Sequence, residues 1–505
     1  MAVLKKFSIV EKRILLISFL LNLVVAWLCK GYYHPDEHFQ VLEFANYKLG
    51  FSPASELPWE FAEKIRPTLL PSLAFVVARA FLWFDAYNPF TVIFLLRCIT
   101  AVLSFLATIM VLNLSSAYIR DKRHRFYLLL LSCFLWFNPY LEIHFASEIW
   151  SGIFFTVGLC LAVPLFEQPE ISFKKALPTL LFVGVLWGIS FWCRFQIAFA
   201  IAGLALWILF FRRRKWLYLF LPLVSFAVVV VCCIQLDSWF YDTFVITPQR
   251  YYVINIVQNI AATRWGSQPW YFYFIAFLGN GVPPGSLILL GLVIASFATR
   301  YDNPLLWPLA FFVVGHVVVA HKELRFLFPM IFLLPVCAIL CLEAPSFIAR
   351  LEKIPARVLR AILRVTVTVN ILALAFVIMR NTTGISGLYK YLYDRVEQKP
   401  ATIVTLTDGP FVSGDLVINY YKPPNLKMVK ITEPDSLLSY FKRNTANVYL
   451  FHDGTALPAD LDSLHAFTRV YTTSPRILEF KGIRGKVSKF STWSLYQAKA
   501  VTDRQ

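Results

Sequence analysis

Charge is scarce in this chain. Asp, Glu, Lys and Arg make up 15% of its 505 residues, against roughly 25% in a typical soluble domain, and that deficit excludes an ordinary cytosolic enzyme. No glycine-rich phosphate loop is present, so direct coupling to ATP is not expected. No basic run interleaved with aromatic residues stands outside an apolar context, which argues against a nucleic-acid partner. No internal repeat or low-complexity tract is visible either, whereas a transporter built from duplicated halves shows its repeat in the span pattern. Cysteine is missing after residue 400, so that region folds without disulfides. The nine cysteines, Cys29 through Cys341, all lie in or at the edge of apolar stretches and read as inert buried thiols.

What the chain has in abundance is apolar and aromatic surface: 58% hydrophobic residues and 17% Phe, Trp and Tyr. This suits a polytopic membrane protein with aromatic belts at the headgroups. The formal net charge of +18 is then the excess of Lys and Arg expected in cytoplasmic loops. Lys5, Lys6, Lys12 and Arg13 precede the first apolar run with no small-residue cleavage site after it, which reads as an uncleaved span starting in the cytoplasm. A transmembrane helix needs roughly 20 mainly apolar residues. Candidates fall near residues 14–29, 68–84, 91–118, 126–141, 151–165, 177–211 (a pair), 216–236, 270–299 (a pair), 304–320, 327–343 and 358–379, roughly 11 to 13 spans.

The connections are of two kinds. Short basic clusters, residues 120–125 and 212–215, are expected to face the cytoplasm. Two longer segments rich in Trp, Tyr, Pro and carboxylates, residues 31–67 and 237–269, are placed on the far side. Simple alternation from the amino end puts residues 120–125 outside, so either one early segment fails to cross or that cluster breaks the rule. The expected division is a multispan domain over residues 1–398 and a soluble α/β domain over residues 399–505. There, β-branched runs at Thr402 to Leu406, Leu416 to Tyr421, Val448 to Phe451 and Ile477 to Phe480 alternate with turn residues. The fold class is therefore all-α and polytopic, with a small carboxyl-terminal α/β domain.

Chemistry concentrates at the span ends. Tyr33-His34-Pro35-Asp36-Glu37-His38-Phe39-Gln40 follows the first span. Two adjacent carboxylates and two imidazoles can serve as a general base, as ligands of a divalent cation, or as acceptors for sugar hydroxyls, while Pro35, Asp36 and Glu37 also suit the first turn of a helix. Trp59-Glu60 through Arg66 leads into the second span, where an arginine either snorkels to headgroups or binds a phosphate. His144 and Glu148, four apart, are expected on one helical face, and ionisable groups at membrane depth usually face a cavity. Trp265-Gly266-Ser267-Gln268-Pro269-Trp270 sets two aromatics around a turn, suited to a headgroup belt or to the apolar face of a sugar. His321-Lys322-Glu323-Leu324-Arg325 crowds four ionisable residues between two apolar runs, where cations could clamp the phosphate of a lipid-linked substrate.

Together, His34-Pro35-Asp36-Glu37 with Phe39-Gln40, Trp59-Glu60 through Arg66, Gly266-Ser267 with Pro269-Trp270, and His321-Lys322-Glu323 with Arg325 resemble glycosyltransferase family 22. Its members are multispan mannosyltransferases using dolichyl-phosphate mannose, and the likeness is greatest to the branch that adds the third mannose of glycosylphosphatidylinositol precursors. The resemblance runs from about residue 14 to 345 and departs at Ser147-Glu148, where the family usually shows an Asn a few residues before a Glu and an Arg-Thr start. It implies a C-type fold, a sugar donor on a polyprenyl phosphate, a glycolipid acceptor, a luminal or periplasmic site and inversion at the anomeric carbon. Asp36 or Glu37 is then the expected base, and Arg66, Lys322 and Arg325 the cations for the departing phosphate. His34, His38, Gln40, Glu148, Trp265, Trp270, His321 and Glu323 complete the expected substrate-binding set.

Two other readings compete: a transporter or flippase of a lipid-linked glycan, and a non-catalytic subunit in which Asp36 and Glu37 are structural. In a eukaryote the transferase would sit in the endoplasmic reticulum membrane with Asn381-Thr382-Thr383 as a luminal glycosylation candidate; in a bacterium it would sit in the inner membrane with a periplasmic site. The cysteine-free carboxyl-terminal region favours the bacterial case.

Overall fold

The long apolar runs fold as helices because backbone groups that face lipid must be satisfied within their own segment. A computed structural model describes residues 7–29, 31–168, 172–379, 385–396, 399–431, 433–443, 447–454, 457, 467–473 and 493–498. Five of its helices are long and apolar enough to cross a membrane: Pro89–Ser115, Ser147–Glu167, Phe173–Cys193, Lys215–Phe240 and Ala356–Ile378. Leu324–Met330 and Leu334–Glu343 are apolar enough together but bent by 80° at their junction, the geometry of a broken span or a re-entrant loop. Shorter apolar helices are Leu69–Trp83, Phe195–Phe211, Gly285–Arg300 and Leu306–Val318, and the first helix, Ile9–Leu28, has 20 residues. The 15-residue Leu69–Trp83 rises only about 22 Å, short of a bilayer core of about 30 Å.

Two compact units emerge. The first contains Met1–Leu28, Glu63–Ala74 and Ile93–Arg380; the second contains Cys29–Ala62, Phe75–Val92 and Asn381–Gln505. In the first unit Ser147–Glu167 is the central helix, with Ile149, Phe155, Leu159 and Val163 buried. A Cβ at Gly152 would lie 2.6 Å from the Pro329 carbonyl, so glycine is what lets this helix abut the Leu324–Met330 turn. Ala356–Met379 turns Ile362, Leu363, Ile371 and Leu372 outward. Its Asn370 accepts from Trp136 N at 3.0 Å and donates to the Phe134 carbonyl at 2.7 Å, replacing helix bonds lost where Lys122–Phe134 stops. The expected pairs are indeed broken, at Arg194, whose φ of −154° is extended, and at residues 281–284. Seven cysteines are buried, Cys98 is partly exposed, and Cys232 is exposed on a helix surface, a departure from the expectation that all nine are buried.

The second unit carries a five-stranded sheet built on β1 (Ala401–Thr405), β4 (Leu426–Lys430), β5 (Val448–Asp453), β6 (Phe467–Thr472) and β7 (Trp493–Ala498), in the order β4-β1-β5-β7-β6. β1 is parallel to β4 and β5, and β7 is antiparallel to β5 and β6. The helix Pro434–Arg443 buries Leu437 and Phe441, one turn apart, against Val404 and Leu450. The predicted run Leu416 to Tyr421 contributes only the two-residue β3 (Leu416–Val417), paired with β2 (Val412–Ser413), and then leaves the strand. The run Ile477 to Phe480 and the Asn381-Thr382-Thr383 sequon lie outside the described residues. Residues 31–62 of the first large loop belong to this same unit, where Asn419 Nδ2 donates to Glu56 at 2.6 Å.

Candidate active site

In the first loop, Pro35 opens a one-turn helix, Pro35–Glu37, capped by His34, whose Nδ1 accepts the Asp36 N–H at 3.2 Å. Glu37 is 3% exposed and its carboxylate turns back to accept the Tyr33 N–H at 3.0 Å. The Asp36 side chain is 24% exposed, with the His34 ring 3.5 Å from its carboxylate. Of the two carboxylates, then, Asp36 is the one a solute reaches. The chain continues as a π-helical turn, His38–Leu42, in which His38 is fully buried and bonded to Glu43 at 2.9 Å. Gln40 donates to buried Glu60 at 3.2 Å, so it links the two halves of the loop. Burial raises the Tyr32 phenol above its ordinary pKa, helped by the charges of Glu37 and Glu43.

In the first unit, Arg66 is held by its own backbone: its carbonyl accepts Tyr241 Oη at 2.7 Å. Two residues on, Thr68 donates N–H and Oγ1 to Asp237 Oδ1 at 2.9 and 2.7 Å, while Thr247 Oγ1 and Trp192 Nε1 donate to Oδ2 at 2.6 and 3.2 Å. Asp237 is fully buried near the end of Phe220–Phe240. Instead of opening a loop, it joins four segments.

The carboxylate of Glu148, in the first turn of Ser147–Glu167, lies between two guanidiniums, with Arg194 Nη1 at 2.9 Å and Arg325 Nη1 at 3.2 Å from the same oxygen. Arg325 also grips Glu323 through Nε at 2.6 Å and Nη2 at 3.2 Å. Both arginines lie over the Phe326 ring, at 4.6 and 5.3 Å from its centre. His144 is not on the helical face of Glu148: it is buried in the extended segment before the helix, its ring 4.8 Å from that of Tyr140. The short Asn138–Leu141 helix ends before it, and a new helix begins at Ser147.

His321 Nδ1 meets the Gly266 carbonyl at 3.0 Å and Nε2 meets Glu323 at 3.0 Å. With an acceptor at each nitrogen the ring favours its protonated form, and its pKa is raised, first by the Glu323 hydrogen bond. The Lys322 ammonium faces the carbonyls of Gln268, Val319 and Ala320 at 2.9, 2.5 and 3.5 Å. Its three donors are engaged there, so in this arrangement it fastens the 265–270 turn to the 319–323 segment rather than presenting a cation to a phosphate. Burial lowers its pKa. Trp265 and Trp270 are exposed on that turn, which Gly266 makes possible with a φ of +83°. Among the described residues no group of three His, Cys, Asp or Glu side chains is placed to hold a metal ion.

Sequence reasoning missed Arg194, Asp237 and Glu43. Arg194 had a signal, being the only charged residue within 177–211; a lone charge inside an apolar run marks a functional position.

Helices enclosing polar groups at their ends, joined to a small α/β domain, define a C-type membrane glycosyltransferase fold. The same fold is seen in ArnT from Cupriavidus metallidurans, crystallised with undecaprenyl phosphate, with a TM-score of 0.55 at 12% identity, covering 98% of each chain. The pattern of the Alg9-like mannosyltransferase family matches residues 14–408, and the chain belongs to this family of glycosyltransferases. GPI mannosyltransferase 4 of Debaryomyces hansenii is 23% identical over 91% of this chain and 89% of its own length. GPI mannosyltransferase 3 of Drosophila melanogaster is 24% identical over 66% of this chain and 56% of its own, and mouse ALG9 is 29% identical over 26% and 24%. The chain thus spans between a quarter and just over half of these last two relatives.

Proposed function

We propose that this protein is an inverting mannosyltransferase that moves mannose from a polyprenyl or dolichyl phosphate to a glycolipid acceptor at the non-cytoplasmic face of its membrane. The observation that carries the reading is family membership across residues 14–408. The names of the relatives, GPI mannosyltransferases 3 and 4, favour an acceptor of the glycosylphosphatidylinositol precursor class. A donor on a polyprenyl phosphate is supported by the fold shared with a protein crystallised with undecaprenyl phosphate. The basic residues before the first span put the first loop on the far side by the positive-inside rule.

In the reaction the acceptor hydroxyl oxygen attacks the anomeric carbon as the bond from that carbon to the phosphate oxygen breaks. The hydroxyl proton passes to a carboxylate, a role assigned to Asp36 because its side chain is partly exposed whereas that of Glu37 is buried and turned to the backbone. The departing polyprenyl phosphate gains negative charge, which planar guanidiniums stabilise bidentately. Arg325 and Arg194 are assigned that role, with Arg66 as a third cation. Glu148, held between the two guanidiniums, occupies the kind of position an anionic oxygen takes, and His321 and Lys322 fix the segment that carries Arg325. Incubating the purified protein with polyprenyl-phosphate mannose and a panel of glycolipid acceptors, followed by product analysis, tests the reading. A mannosylated glycolipid with inverted linkage supports it, and an unaltered donor with every acceptor contradicts it.

A further inference from the structure

Glu43 lies five residues after His38. In an α-helix positions five apart diverge by about 140°, yet here the two side chains touch. The cause is the π-helical turn His38–Leu42, in which the Glu43 N–H bonds the His38 carbonyl and the wider turn brings residues 38 and 43 together. His38 Nε2 lies 2.9 Å from Glu43 Oε1, the tautomer with hydrogen on Nε2 following from its carboxylate partner.

The same oxygen accepts two successive backbone N–H groups, from Asn419 at 2.8 Å and Tyr420 at 2.9 Å. Those groups belong to the carboxyl-terminal region, in the segment that leaves β3, and Glu43 gives them the acceptor that a neighbouring strand would otherwise supply. Asn419 Nδ2 adds a bond of 2.6 Å to Glu56 on the far half of the first loop. The His38 ring is sandwiched between Tyr32, at 5.2 Å, and Tyr421, at 5.4 Å. Tyr421 in turn stacks on Phe90 at 4.9 Å and Tyr389 at 5.8 Å. Glu43 is 1% exposed and His38 fully buried, so removing this carboxylate leaves three convergent donors buried without an acceptor.

We propose that Glu43 is a positioning residue through which the carboxyl-terminal α/β domain sets the first loop and, with it, the Asp36-Glu37 turn. The domain then acts as a splint for the catalytic carboxylate, and its loss acts on turnover rather than on donor recognition. This rests on the reading of Asp36 as the base.

Three substitutions in the purified full-length chain test it. Glu43→Gln keeps the reach and an acceptor oxygen, whereas Glu43→Asp keeps the charge and falls short of the three donors. His38→Phe keeps the aromatic sandwich and removes one donor. A splint needs reach, so Glu43→Gln should hold kcat within about threefold of the parent, while Glu43→Asp lowers kcat on the order of 10²-fold with an unchanged KM for donor. His38→Phe should lower kcat about tenfold. Hydrogen exchange should quicken across residues 33–42 and 416–421 in Glu43→Asp and stay parental across Ser147–Glu167, which also reports that the variant is folded. Parental kcat in both Glu43→Asp and His38→Phe overturns the proposal, as does an active Glu43→Asp beside an inactive Glu43→Gln, which would assign Glu43 a role through charge. Exchange needs no turnover: if the parent transfers no mannose, the transferase reading fails, and unchanged exchange in Glu43→Asp is the separate result that refutes the splint.

Discussion

Replacing Asp237 with asparagine exposes how Arg66 is held. Each carboxylate oxygen of Asp237 serves one N–H and one hydroxyl: Thr68 N and Oγ1 on one side, Trp192 Nε1 and Thr247 Oγ1 on the other. An amide offers a single acceptor oxygen. If that oxygen faces Thr68, the new NH2 faces the indole N–H; if it faces Trp192, the NH2 faces the Thr68 backbone N–H. The hydroxyls can reverse and accept, but neither N–H can. At least one buried N–H is therefore stranded, costing about 1–3 kcal/mol, and the remaining bonds lose their charge assistance. Asp237→Asn should lower unfolding free energy by about 2–4 kcal/mol, and Asp237→Ala, which strands all four donors, by more. Chemical unfolding in detergent, followed by tryptophan fluorescence, is the assay. A loss for Asp237→Asn below about 0.5 kcal/mol, the level of an unremarkable surface change, would show that the four bonds do not anchor these segments.

Arg194→Lys and Arg325→Lys each keep a charge but lose the planar fork and the stack on Phe326, so binding of polyprenyl phosphate should weaken about tenfold or more by calorimetry; parental affinity in both refutes the clamp. The raised pKa of His321 means the folded state binds the proton more tightly than the unfolded chain, so its stabilising contribution is complete below the ordinary histidine value of about 6.5 and fades as pH rises through the raised one. The melting temperature should thus decline from near-neutral pH upward, and His321→Gln should flatten that decline. Cysteines introduced at Ser55 and Ser439 in a cysteine-free background should both react with an impermeant thiol reagent applied from the non-cytoplasmic side; labelling of one alone contradicts the proposed topology.

Hydropathy made the helices legible, since a span announces itself by composition alone, and even the paired runs over 177–211 and 270–299 broke where polar or Gly-Pro residues interrupt them. Three strands of the main sheet, Leu426–Lys430, Phe467–Thr472 and Trp493–Ala498, passed unnoticed because they mix polar and apolar residues without clean alternation. The adjacent carboxylates and the 321–325 cluster stood out because ionisable groups are rare in such a chain. Local sequence does not say what a side chain is already doing. Lys322 reads as a spare cation until three carbonyls are found around it. Glu43 reads as an ordinary helix carboxylate, because its partners lie 376 and 377 positions later.

The most direct measurement is mannose transfer by purified Asp36→Asn beside Glu37→Gln, with donor binding measured on the same preparations. Asparagine keeps size and hydrogen bonding but removes the basic oxygen. Turnover by Asp36→Asn should therefore fall by roughly 10² to 10⁴ with donor affinity retained, and Glu37→Gln should lose less. Near-parental turnover in Asp36→Asn beside an inactive Glu37→Gln contradicts the assignment of the base, and normal transfer by both contradicts the mechanism as a whole.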